Sequence, residues 1–144
     1  MGNTSNDCSA DEQDEESFSY AMQIAQSLSL PMSMHAVSQF QVFDIIAKAD
    51  PNVKLSAKEI AAQLPANKNP EASSMLDRLL RLLASHCIVG CSLVNDEEGG
   101  HPWRLYSLTS VPKYFVPNED GVSLAPLMNL DQDKVFLASW FVHL

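Results

Sequence analysis

The sequence predicts a mainly α-helical domain that carries one β-hairpin. Three observations carry that prediction. Residues 73–85 hold Met75, Leu76, Leu79, Leu80, Leu82 and Leu83 at helical spacing, with Asp77, Arg78 and Arg81 on the opposite face. The helical period then gives way to Ile88, Val89, Gly90, Cys91, Ser92, Leu93 and Val94, a strand pattern. A second strand pattern, residues 103–108, follows across the polar turn Asn95, Asp96, Glu97, Glu98, Gly99 and Gly100. A helix running into a two-stranded ribbon is the second half of a winged helix, so the expected fold is winged-helix-like.

The elements follow in order. Asp7, Asp11, Glu12, Asp14, Glu15 and Glu16 crowd the first sixteen residues, which contain no Lys or Arg; residues 1–16 are expected to be a disordered acidic tail. Ser17 is expected to cap a first helix over 18–30, with Phe18, Met22 and Ala25 on one stripe and Pro31 interrupting it. A second helix is expected over 34–49, with Val37, Phe40, Phe43, Ile45 and Ile46 as its apolar face, ended by Asp50, Pro51 and Asn52. Ser56 with Glu59 has capping-box spacing and opens a short helix whose inner residues are Ile60, Ala61 and Leu64. Asn69 and Pro70 are expected to cap and start the long helix. Beyond the hairpin, residues 109–115 read as one helical turn, 117–121 as a loop, and 131 or 133 through 140 as a last helix. The domain is thus expected to occupy residues 17–144.

Composition narrows the function classes. The formal charge is −9, of which residues 17–144 contribute −3 from twelve acids and nine bases. The exposed charges of the long helix, Glu71, Asp77, Arg78 and Arg81, sum to zero, and the hairpin tip carries three acids. Phosphate backbones would be repelled, so no nucleic acid is expected and a DNA-binding winged helix is the weaker alternative. No run of about 18 apolar residues is present and the N-terminus has no h-region, so no membrane association is expected and the location is taken as cytoplasmic. Met1-Gly2 begins like a myristoylation signal, but Asn6 stands where Ser or Thr is required.

Candidate chemistry is sparse. Cys87 and Cys91 would lie about 13 Å apart on a strand, too far to share one zinc, so both read as buried reduced thiols and no metal site is expected. Glu97, Glu98 and His101 fall on a solvated turn with nothing to shift a pKa. No phosphate-cradling loop occurs, nor G-x-S-x-G, H-E-x-x-H or C-x-x-C, and no catalytic residue is expected. The methionines, among them Met22, Met32, Met34 and Met128, suit irregular apolar packing or an apolar interface.

Longer blocks carry a more specific signal: AMQIA at 21–25, LPM at 30–32, IIAKA at 45–49, EIAAQLP at 59–65 and MLDRLLRLLA at 75–84. They continue with KYFV at 113–116, NEDGVS at 118–123, QDKV at 132–135 and SW at 139–140. In these blocks the chain resembles the N-terminal dimerisation domain of plant caffeic acid/flavonoid-type O-methyltransferases. The resemblance implies first helices that wrap a partner subunit, with Phe18, Met22, Leu30 and Met32 in the dimer interface. It also implies a homodimer, or a heterodimer with a related O-methyltransferase. The family's partner-reaching serine aligns near Gln26, and its substrate-contacting Met-Asn pair aligns with Leu130 and Asp131; both positions depart from the family pattern. A carboxylate at Asp131 would repel a carboxylate-bearing phenylpropanoid. In the family, S-adenosylmethionine and a histidine general base belong to a following Rossmann-like domain. The resemblance therefore implies no cofactor in this chain, a truncated or excised module that pairs but does not methylate, and a His143 without catalytic role. A regulatory partner of a full-length methyltransferase is the alternative.

Overall fold

Residues 7–50, 53–65, 69–95, 102–140 and 142 are described by a computed structural model of the chain, with side chains from residue 12. The first helix, α1, spans Asp7–Ala25. The acidic segment expected as a solvated tail is therefore helical from Asp7 onward, as its Ala, Glu and Gln content permits. Ser17 does not cap it: its hydroxyl donates to the Gln13 carbonyl at 2.7 Å, a bond made inside a helix.

α2 spans Ser29–Gln39 and α3 spans Val42–Lys48, so the single helix expected over 34–49 is two. Gln41, in the left-handed region at φ 56°, separates them, and the Phe40 and Gln41 amides close the end of α2 on the Ala36 and Ser38 carbonyls. Pro31 is in the first turn of α2, where its missing N–H is harmless, so it does not interrupt a helix. The short strand β1, Leu55–Ser56, leads into α4, Ala57–Ala62. The expected capping box is present: the Glu59 amide donates to Ser56 Oγ at 3.3 Å and the Ser56 amide donates to Glu59 Oε2 at 2.7 Å.

The long helix α5 is Ala72–Ser85. It starts two residues later than expected, because Asn69 Oδ1 accepts from the Glu71 amide at 2.9 Å in an Asx turn that includes Pro70. Its C-terminus is a Schellman motif: the Ile88 amide donates to the Leu83 carbonyl at 2.9 Å and the Cys87 amide to that of Ala84 at 3.0 Å. Cys87 occupies the left-handed position at φ 57°.

β2, Val89–Val94, and β3, Trp103–Leu108, form the expected hairpin, whose tip lies outside the described residues. Cys91 faces Tyr106 in register, and β1 pairs with the other edge of β3, so the sheet is three-stranded and antiparallel in the order β1-β3-β2. A 3₁₀ turn, Pro112–Tyr114, falls within the helical turn expected over 109–115. The expected last helix is preceded by another: α6 is Ala125–Asp131, and α7 is Lys134–Ser139, capped by Asp133 Oδ1 accepting from the Val135 amide at 2.8 Å. The molecule is mainly helical with one small antiparallel sheet. Its core joins Val37, Phe43, Ile46, Ile60, Leu80, Leu83, Val89 and Tyr106 across α2–α5 and the sheet.

Candidate functional site

The buried stripe of α5 is Leu76, Leu80 and Leu83, spaced i, i+4, i+7. Met75 belongs to the same apolar run but stands one position off that stripe and is 54% exposed. Phe40, the C-cap residue of α2 just before the turn at Gln41, is 55% exposed. These two side chains border an apolar groove of about 270 Å³, lined also by Val37, Val42, Leu64 and Leu79. The sequence pattern placed Phe40 and Met75 on inner faces; it held no signal for the groove, which needs three helices to form.

A second apolar surface lies at the start of the chain. Phe18 and Met22 are one turn apart on α1 and both are exposed, Phe18 by 69%. Tyr20 and Ile24 are exposed on the opposite side of α1, and Met32 is exposed in the first turn of α2. Leu30 differs: it is half-buried and packs against the core cluster. Gln26 is in the link between α1 and α2, its amide on the Met22 carbonyl at 3.0 Å and its own carbonyl taking the Ser29 amide at 2.9 Å. Leu130 and Asp131 are both exposed at the end of α6, the helix that lies against α2.

The polar centre of the fold is elsewhere. Tyr106 is fully buried, and its hydroxyl donates to Asp77 Oδ1 at 2.7 Å. Burial first, and then the Asp77 carboxylate, push the phenol well above its ordinary range. Asp77 Oδ2 also takes Arg81 Nε and Arg104 Nη1, each at 3.4 Å. The carboxylate thus ties α5 to β3 through Tyr106 and Arg104. Nothing in the sequence marked this pairing, because the partners are 29 positions apart.

Cys87 and Cys91 are free and exposed, which corrects the expectation of buried thiols. Cys87 stands in the left-handed turn that ends α5, and Cys91 is on β2, an edge strand of the sheet. Among the described residues no three His, Cys, Asp or Glu side chains gather as a metal site would require. Glu97, Glu98 and His101 lie outside the described residues. No helix here is long and apolar enough to cross a membrane, among the residues described.

Comparison with known proteins adds a consistent pattern. A family model described as the O-methyltransferase dimerisation domain matches residues 22–118, more than half of the chain. O-methyltransferase 12 of Lophophora williamsii is 50% identical over 127 residues, 88% of this chain and 33% of the relative. Anthranilate N-methyltransferase of Ruta graveolens is 52% identical over 130 residues, 90% of this chain and 34% of the relative. Caffeic acid 3-O-methyltransferase of Medicago sativa is 48% identical over 128 residues, 89% of this chain and 34% of the relative. The chain spans about a third of the length of these relatives.

Proposed function

Because the chain belongs to the O-methyltransferase dimerisation-domain family, we propose that it is a winged-helix-like pairing module that joins a second copy of itself or a related methyltransferase. The observation that carries this reading is the pair of uncovered apolar surfaces: the Phe18–Met22 face of α1 and the groove bordered by Phe40 and Met75. Each exposes side chains that water disfavours, at about 25 cal/mol per Å² of apolar area, and a partner would cover both. Phe18, Met22 and Met32 are the interface residues in this reading, with Leu30 holding the start of α2 against the core behind them. Gln26, beside that surface, would reach toward the partner, and Leu130 with Asp131 would contact a ligand held by a further domain. Methyl transfer from S-adenosylmethionine to a phenolic hydroxyl would then belong to that further domain and not to residues of this chain. The domain itself would run over 17–144, in a cytoplasmic protein.

Sedimentation velocity tests the pairing. The chain is expected to sediment as a dimer, and Phe18→Glu with Met22→Glu to sediment as a folded monomer; a wild-type monomer at all concentrations would refute the reading. Incubation with labelled S-adenosylmethionine and a panel of catechols and flavonoids is expected to give no product, and turnover by the purified chain would overturn the division of labour. Co-purification with a full-length methyltransferase would identify the mixed pair.

A further inference from the structure

Neither α6 nor α7 has a buried side chain, and among the described residues Met128 is the α6 side chain that packs against the core cluster. A side-chain hydrogen bond links α6 to α2. Gln39 Nε2 donates to Asn129 Oδ1 at 2.9 Å. His35 and Ser38 share that flank of α2 with Gln39, and Gln132 stands one turn beyond Asn129 at the end of α6. His35 Nδ1, Ser38 Oγ, and both Nε2 and Oε1 of Gln132 are sealed from solvent, and none has a hydrogen-bond partner among the described residues. Buried polar atoms are ordinarily paired, and an unpaired one disfavours the state that buries it.

We propose that the α2–α6 seam is a polar latch that opens on its own in the native protein, releasing α6 and α7 as one strap while α2–α5 and the sheet stay folded. In this proposal separation of the helices returns these atoms to water, and the losses include the Met128 contact and the exposed Gln39–Asn129 hydrogen bond. α7 follows α6 because the Asp133 amide is bonded to the Leu130 carbonyl at 3.1 Å. Leu130 and Asp131 move with the strap, but the latch itself does not depend on their touching a ligand, nor on the chain's pairing.

Hydrogen exchange read by mass spectrometry on the whole chain at neutral pH tests this. Amides of α6 and α7 are expected to exchange at least about 100-fold faster than those of α5 around Leu80 and Leu83, as a locally opening unit does. Gln132→Leu removes two of the unpaired atoms and adds apolar surface, and is expected to slow exchange in α6 by about tenfold with α5 unchanged. Ser38→Ala removes a third atom from the other helix and is expected to act in the same direction. Exchange in α6 as slow as in α5 would overturn the latch. So would unchanged or faster α6 exchange in both variants, since the atoms would then have been satisfied in the closed state.

Discussion

Tyr106 shows what a single residue does here and how little of it a linear reading reveals. Alternation along β3 marks Tyr106 as an inward position, but its partner Asp77 is on another element, and only the folded chain brings the hydroxyl and the carboxylate to 2.7 Å. Removing the hydroxyl leaves Asp77 without its shortest donor in a half-buried place, so Tyr106→Phe is expected to lower stability by about 2 kcal/mol in urea unfolding at neutral pH. The raised pKa gives this pair a pH signature. The unfolded phenol ionises near 10.0 while the folded one stays protonated well beyond it. Its contribution is therefore whole below that value and is lost as pH rises through the folded pKa. Wild-type Tm is expected to fall above pH 10.0 more steeply than that of Tyr106→Phe. Parallel slopes would show that the pair is not coupled to folding.

Among the elements, what the sequence made legible was what is local. The capping box of α4 follows from four consecutive positions, because Ser56 and Glu59 satisfy each other's amides without help from the rest of the chain. The two strands of the hairpin were legible for the same reason. Helix boundaries were not: the break at Gln41 and the start of α6 depend on how α2 packs on α5 and α6, which no window of sequence contains. The capping box also titrates. The Ser56 amide and then its hydroxyl, both donating to Glu59, hold that carboxyl below its ordinary 4.5. A depressed folded pKa contributes stability above the unfolded value and loses it as pH falls through the folded one. Glu59→Gln is thus expected to be less stable than wild type at neutral pH, with the gap in Tm closing below pH 4.5. A gap that persists in acid would assign the effect to packing instead.

At the scale of the whole molecule, the blocks between residues 21 and 140 made the family legible, whereas which apolar side chains stand uncovered was not. Phe18, Met22 and Met32 are exposed apolar residues, but Leu30 is drawn inward, and the groove at Phe40 and Met75 emerges only where α2, the start of α3, the turn after α4 and α5 come together. If pairing covers both surfaces, folding and association are linked by mass action. Tm is expected to rise by several degrees over a hundredfold range of chain concentration, and Phe18→Glu with Met22→Glu to abolish that dependence. A concentration-independent Tm in the wild type would detach stability from pairing.

The strand order β1-β3-β2 has a consequence for synthesis. β3 lies between its two neighbours, and Tyr106 is the last member of the buried apolar cluster in chain order, with Leu108, Phe115, Val116 and Met128 packing onto it. A nascent chain emerging from the ribosome can form its helices one by one and pack α5 on α2 and α4, yet α3 and α4 lack their sheet contacts until β3 clears the exit tunnel. For that interval the inward side chains of α3 and α4, Phe43 and Ile60 among them, are open to whatever binds unfolded chains. This protein should therefore be a chaperone client until residue 108 has been made and folded into place.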